Sequence, residues 1–195
     1  MSAKTQLAVL GTSFLLATQC FALDLSGTIF EKAGKRFNVD PDLLYSISLV
    51  ESAVTSEELG RNYINPSPYA LRTNKPYYPR TRTDASKLLK QLLRTNKSVD
   101  VGLCQINTTW HGHRVPKLSD LLDPQINVNV AAKILSECID RNPNDAVAAI
   151  GAYHTSDPVR AKRYARTVLR IYTRVKEFDL NQAKRNLRGE VISND

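Results

Sequence analysis

Asp40-Pro41-Asp42 fixes the start of a helix around which the rest of the chain has to be built. Asp40 is an N-cap carboxylate, Pro41 carries the φ of a first helical position and lacks an N–H that would go unpaired there, and Asp42 places negative charge at the positive end of the helix dipole. Leu43, Leu44, Ile47 and Val50 follow at helical spacing, which predicts a core-facing helix with Glu51 near its end. A preceding helix is predicted over 28–37, with Ile29, Phe30, Ala33 and Phe37 on one face. Two helices therefore lead to a carboxylate at the end of the apolar turn Ile47-Ser48-Leu49-Val50. Partial burial raises the pKa of a glutamate by desolvation, which suits a general acid.

From 60 to 82 the text changes to Asn, Pro, Tyr and Thr, and Tyr69-Ala70-Leu71-Arg72 and Pro76-Tyr77-Tyr78 flank Thr73-Asn74-Lys75 as the arms of a small hairpin. Further helices are predicted over 84–94 (Leu88, Leu89, Leu92, Leu93), 125–138 (Val128, Ala131, Ala132, Ile134, Leu135), 145–153 and 158–175 (Ala161, Ala165, Val168, Leu169, Tyr172). Residues 179–195 read as a polar C-terminal tail. The length of 195 residues suits one compact domain with short terminal segments, and no repeat, glycine linker or low-complexity run divides it. The expected fold is mainly α with one small β element.

The N-terminus has the form of a signal peptide over 1–22: Lys4 is basic, 7–17 is almost uninterruptedly apolar, and Cys20-Phe21-Ala22 offers small residues at the −3 and −1 positions. The apolar run is shorter than the ~20 residues needed to span a bilayer, and Ala17-Thr18-Gln19 lacks the small residue that normally precedes a lipidated cysteine. Beyond Asp24 no segment is apolar enough for a transmembrane anchor, so the expected location is the periplasm after cleavage. An oxidising compartment permits a Cys104–Cys138 disulfide, while the apolar neighbours of both favour small buried thiols. The formal charge of +8 favours anionic partners: nucleic acid, lipid headgroups or the acidic polymers of a bacterial envelope. Export and the scatter of the basic residues, with no nucleic-acid motif, argue against nucleic acid.

Two later segments carry chemistry-bearing side chains. Val99-Asp100-Val101-Gly102-Leu103-Cys104-Gln105-Ile106-Asn107 is strand-like, and its glycine permits close approach of backbone or ligand. Gln105 and Asn107 are either readers of sugar hydroxyls and N-acetyl groups or structural amides. Ala149-Ile150-Gly151-Ala152-Tyr153-His154 places Tyr153 at a helix end, where its hydroxyl either orients a carboxylate or closes the core. Trp110 either lines a cleft or packs inside. His111, His113 and Asp120 lack a further strong ligand at a motif spacing, so they read as loop residues and no metal is expected.

Taken in order, Leu44-Tyr45-Ser46-Ile47-Ser48-Leu49-Val50-Glu51-Ser52 resembles the "AI…ES" motif of the lytic transglycosylase (SLT) domain of the lysozyme superfamily. Gly102-Leu103-Cys104-Gln105-Ile106-Asn107 resembles its "GLMQIN" motif, 127–135 its "N…AA.IL" helix and Ala152-Tyr153-His154 its "AYN" motif. The likeness covers roughly 30–172 and is greatest to the small single-domain enzymes associated with conjugation, pilus and type IV secretion systems.

The resemblance implies a mainly α, lysozyme-like α+β fold with a small β-hairpin, a catalytic domain over 23–178, peptidoglycan glycan strands as substrate, and no cofactor. It implies that Glu51 protonates the oxygen between MurNAc and GlcNAc and then, as base, accepts the proton of the MurNAc C6 hydroxyl, leaving a 1,6-anhydro end. It carries substrate-binding roles onto Ser52, Gln105, Asn107 and Tyr153. Two departures stand out: the segment after Glu51-Ser52 is longer and lacks the Asn-Pro and Gly-Ala pattern, and His154 replaces Asn. The stretch 100–107 also resembles the "DYGILQIN" segment of animal-type lysozyme, so Asp100 either stabilises an oxocarbenium-like transition state or caps a turn. Competing readings are a lysozyme-type hydrolase, a peptidoglycan-binding assembly module that does not cut, and an exported nucleic-acid binder resting on charge alone.

Intact-mass measurement of the periplasmic protein is expected to show a chain beginning at Leu23; a mass that still includes 1–22 would contradict the predicted cleavage.

Overall fold

The computed structural model describes residues 25–56 and 63–187, so the predicted signal peptide and the last eight residues lie outside the described part. Helix α1 (Ile29–Phe37) starts at Thr28, whose hydroxyl accepts from Glu31 N, and ends at Asn38 in the left-handed region at φ 52°. Helix α2 (Pro41–Ser52) starts as the sequence requires, with the Asp40 carboxylate accepting from Asp42 N and Leu43 N. Leu44 and Ile47 are fully buried, as are the side chains of Ser46 and Ser48. Those hydroxyls donate to Asp42 O and Tyr45 O, which removes the cost of burying a polar face. α2 is thus a central helix buried almost all round, and Glu51 is carried inward with it.

Two small antiparallel sheets follow. Strands β1 (Ala53–Ser56) and β2 (Tyr63–Pro66) pair in the register Ala53↔Pro66 to Ser56↔Tyr63. This pair is additional to the one β element expected: β1 continues directly from α2 with no Gly or Pro to announce a change of structure. The expected hairpin is present as β3 (Leu71–Arg72) and β4 (Pro76–Tyr77). It is extended by β5 (Asp100–Val101) and β6 (Ile106–Asn107) into a four-stranded sheet of order β4-β3-β5-β6.

The remaining helices are α3 (Arg82–Thr95), α4 (Thr108–His111), α5 (Pro124–Arg141), α6 (Ala146–His154) and α7 (Pro158–Leu187), with 3-10 turns at Gly112–Arg114 and Leu118–Leu122. α7 runs well past the expected end at 175, because its later residues are too polar to show an apolar stripe in the sequence. α7 packs on α2 and α6, and α5 packs on α1 and α6. Leu44, Ile47, Val101, Ile106, Val128, Leu135 and Val168 bring α2, β5, β6, α5 and α7 into one core. The architecture is the expected mainly α, lysozyme-like α+β fold with a small antiparallel sheet.

The loop between β5 and β6 is held by a buried amide. Asn127 on α5 donates from Nδ2 to Val101 O (2.8 Å) and Leu121 O (2.9 Å) and accepts at Oδ1 from Cys104 N (2.9 Å). Gly102 sits at φ 80°, and a Cβ there would collide with this amide, so the position needs glycine for both conformation and space. Replacing Asn127 by Leu removes three hydrogen bonds to buried main-chain groups, and each group left unsatisfied costs about 1–3 kcal/mol. Urea unfolding is expected to show a loss of about 3 kcal/mol or more; a loss below about 1 kcal/mol would contradict this assignment.

Candidate active site

The last turn of α2 delivers Glu51 to the floor of a cleft of about 270 Å³ whose walls include Arg72 of β3, Asp100 of β5, Gln105, and Tyr153 and His154 of α6. Glu51 is only 7% exposed. Burial raises its pKa from 4.5 to about 7. The Tyr164 hydroxyl and the Arg72 guanidinium oppose that rise, and the nearby Asp100 adds to it. Desolvation wins because the available cation is committed elsewhere: Arg72 Nη2 donates to the main-chain oxygen of Glu51 at 3.0 Å. The buried Tyr164 hydroxyl, from α7, has no partner at full hydrogen-bond geometry, yet lies near enough to favour the charged carboxylate. We read it as a donor poised beside Glu51.

Asp100 is half-buried on the same cleft, and Asn107 Nδ2 donates to its Oδ1 at 2.7 Å. Desolvation raises the Asp100 pKa, against the Asn107 hydrogen bond and the charges of Arg72 and His154. Asn107 also caps α4, its Oδ1 accepting from Thr109 N (3.1 Å) and Trp110 N (3.2 Å). One amide therefore orients the second carboxylate and starts the short helix that carries Trp110. The tryptophan is 75% exposed at the cleft mouth, which decides for the cleft over the core.

The other predicted residues divide between the cleft surface and the layer behind it. Gln105, at φ 47°, donates from Nε2 to Ala70 O (3.2 Å) and Gly102 O (3.0 Å), while its buried Oε1 has no partner. Tyr153 lines the wall with its ring, but its hydroxyl donates to Cys104 O at 2.9 Å instead of orienting a carboxylate. Ser52 stands behind the wall at 1% exposure, its hydroxyl 2.7 Å from Leu103 O. Cys104 and Cys138 are buried free thiols, so the disulfide alternative is not realised. Burial and the Glu51 charge push the Cys104 thiol well above its ordinary range.

Sequence reasoning missed Arg72 and Tyr164 as site residues. Tyr164 lies on the inner face already marked by Ala161 and Val168, so helical spacing held a usable signal for it. Nothing local distinguishes Arg72 from any other charged residue beside a turn. His154 stacks flat on the Tyr164 ring (4.5 Å, 5°), and burial lowers its pKa. His111 accepts from Arg114 Nε at 3.3 Å, and Arg114 in turn forks onto Glu137 at 2.8 and 2.6 Å. Among the described residues no group of His, Cys, Asp or Glu is arranged to hold a metal ion.

A buried acid at the end of a central helix, facing a polar cleft in a lysozyme-like fold, agrees with the family comparison. The chain belongs to the transglycosylase SLT domain family, which matches residues 28–168. It is similar to the invasion protein IagB of Salmonella typhi, at 28% identity over 165 residues, covering 80% of this chain and 82% of the relative. It is also similar to a peptidoglycan-binding-like protein of Escherichia coli O157:H7, at 26% identity over 191 residues, covering 91% and 93% of the two chains.

The raised Glu51 pKa has a consequence for stability. The native state keeps a proton that the unfolded chain releases, so stability falls as pH rises from about 4.5 to about 7. Glu51→Gln removes that loss. Relative to its value near pH 4, the stability difference is expected to shift in favour of the variant by up to roughly 3 kcal/mol above pH 7. Parallel urea-unfolding curves for both proteins across this range would contradict the burial of an ionisable Glu51.

Proposed function

We propose that the protein is a peptidoglycan lytic transglycosylase that cleaves the MurNAc–GlcNAc β-1,4 bond and forms 1,6-anhydroMurNAc, with Glu51 as acid and then base. The carrying observation is the Glu51 carboxyl, buried at the floor of an open cleft with a pKa of about 7. At neutral pH such a group is present in both forms, so one residue can donate a proton and later take one back.

The protonated carboxyl gives its proton to the glycosidic oxygen as the bond to the anomeric carbon breaks. The C6 hydroxyl of the same MurNAc then bonds to that carbon, and its proton passes to Glu51. Arg72 and Tyr164 stabilise the carboxylate that exists between the two transfers. Asp100, held by Asn107, stabilises positive charge at the anomeric carbon. Gln105 Oε1, buried and unpartnered on the cleft, accepts from a sugar hydroxyl or N-acetyl N–H. Ser52 and Tyr153 act as positioning residues, fixing the main chain at Leu103 and Cys104. No cofactor or metal enters this scheme.

The likeness to an invasion protein and to a peptidoglycan-binding-like protein supports an envelope substrate. On that basis the protein acts in the periplasm after signal cleavage and opens the wall locally for a conjugation, pilus or type IV secretion apparatus. No described helix is long and apolar enough to cross a membrane. A second reading, a lysozyme-type hydrolase, is favoured by one observation, the placement of Asp100 on the same cleft. The two differ in product: a hydrolase leaves reducing ends.

Digestion of sacculi, with products resolved by mass, is expected to yield anhydro muropeptides. Glu51→Gln should lower turnover by about 10² to 10⁴, and Asp100→Asn should slow it without changing the product. Wild-type activity should decline as pH rises above about 7, following the protonated fraction of Glu51. Reducing ends from the wild type would convert the enzyme to a hydrolase, and full activity of Glu51→Gln would overturn the assignment of the acid.

A further inference from the structure

The formal charge of +8 is not spread evenly over the folded protein. On α7, Lys162, Arg163, Arg166, Arg170 and Arg174 are all exposed. At 100° per residue they share the side of the helix opposite the buried stripe formed by Tyr164, Ala165, Val168 and Val175. None of the five forms an ion pair among the described residues, whereas Lys176, closer to the centre of that buried stripe, pairs with Asp42. Asp157 and Glu177 stand only at the two ends of the row. The positive row from Lys162 to Arg174 is about 18 Å long at 1.5 Å per residue.

We propose that this outer face of α7 is a docking surface for anionic phospholipid headgroups, which holds the protein against a membrane. The setting, an envelope compartment, rests on the proposed function; the binding itself does not. One small anion cannot engage side chains spread over such a length, so the complement has to be an extended negative array. Single-stranded nucleic acid is held by stacking its bases on aromatic side chains, and the open depression on this face, lined by Lys162, Arg163, Arg166 and Arg170 with Pro158, Val159 and Thr167, has none. Between Pro158 and Glu177 the aromatic residues are Tyr164 and Tyr172, the first buried and the second half-buried and donating to Asp40 at 2.7 Å. A row of exposed cations along one helix instead suits a surface whose headgroups can move to meet each charge. The apolar side of α7 is occupied by the core, so attachment is electrostatic and reversible, with little insertion.

The test is cosedimentation of the full mature chain with vesicles of phosphatidylcholine alone or with about a quarter phosphatidylglycerol. Binding to the anionic vesicles is expected at about 0.1 M salt and release at about 0.5 M. The triple variant Arg163→Ala, Arg166→Ala, Arg170→Ala should partition about 100-fold less, at about fivefold per lost cation, while the corresponding triple Lys variant should stay within about threefold of the wild type. Equal binding to neutral vesicles, or an alanine variant that binds like the wild type, would overturn the proposal. So would double-stranded DNA that stays bound at salt releasing the vesicles, which would make the face a reader of linear polyanions. Glu51→Gln should bind vesicles normally, and the triple alanine variant should cleave detached glycan strands at the wild-type rate. Failure of the surface and failure of the catalytic reading are therefore separable.

Discussion

Three helices each send one polar side chain to the main chain of the loop between β5 and β6: Ser52 of α2 to Leu103 O, Asn127 of α5 to Val101 O and Cys104 N, and Tyr153 of α6 to Cys104 O. This loop carries Gln105 and connects the strands that bear Asp100 and Asn107, so its position sets one whole wall of the cleft. A short loop without regular structure has many main-chain groups to satisfy. Buried side chains satisfy them here, which fixes the wall and explains why Ser52 stands behind the cleft surface instead of on it.

The same packing controls the acid. α2 is buried on nearly all sides because its serines bond to their own helix and its Leu and Ile fill the core, so its last turn enters the interior with Glu51 attached. An Arg and a Tyr close by would normally hold a carboxyl in its charged form. They do not prevail, since desolvation raises the pKa more than both lower it. The outcome is a group that titrates near neutrality, which is what sequential donation and acceptance of a proton requires.

Much of this was legible in the sequence wherever the signal was local. Asp40-Pro41-Asp42 and the spacing of Leu44 and Ile47 gave α2, its start and the burial of Glu51, and Thr73-Asn74-Lys75 gave the hairpin. The order of Glu51, Asp100, Gln105, Asn107 and Tyr153 pointed to residues that the fold does assemble around one cleft, with Ser52 just behind it. Features set by distant packing were not legible. β1 follows α2 with no breaker, Arg72 acquires meaning only because β3 passes the end of α2, and Tyr153 and Asn107 spend their hydrogen bonds on main chain and a neighbouring carboxylate. The basic residues read as scattered along the chain, yet the helical period of α7 gathers five of them on one side.

The central claim is that Glu51 keeps its proton near neutral pH because it is buried. An NMR titration of carboxyl carbons, with the Glu51 signal identified by its loss in Glu51→Gln, measures this directly. The account predicts a midpoint near 7. A midpoint near the ordinary 4.5 of a glutamate would show that the site leaves Glu51 ionised at neutral pH and would contradict its role as the proton donor.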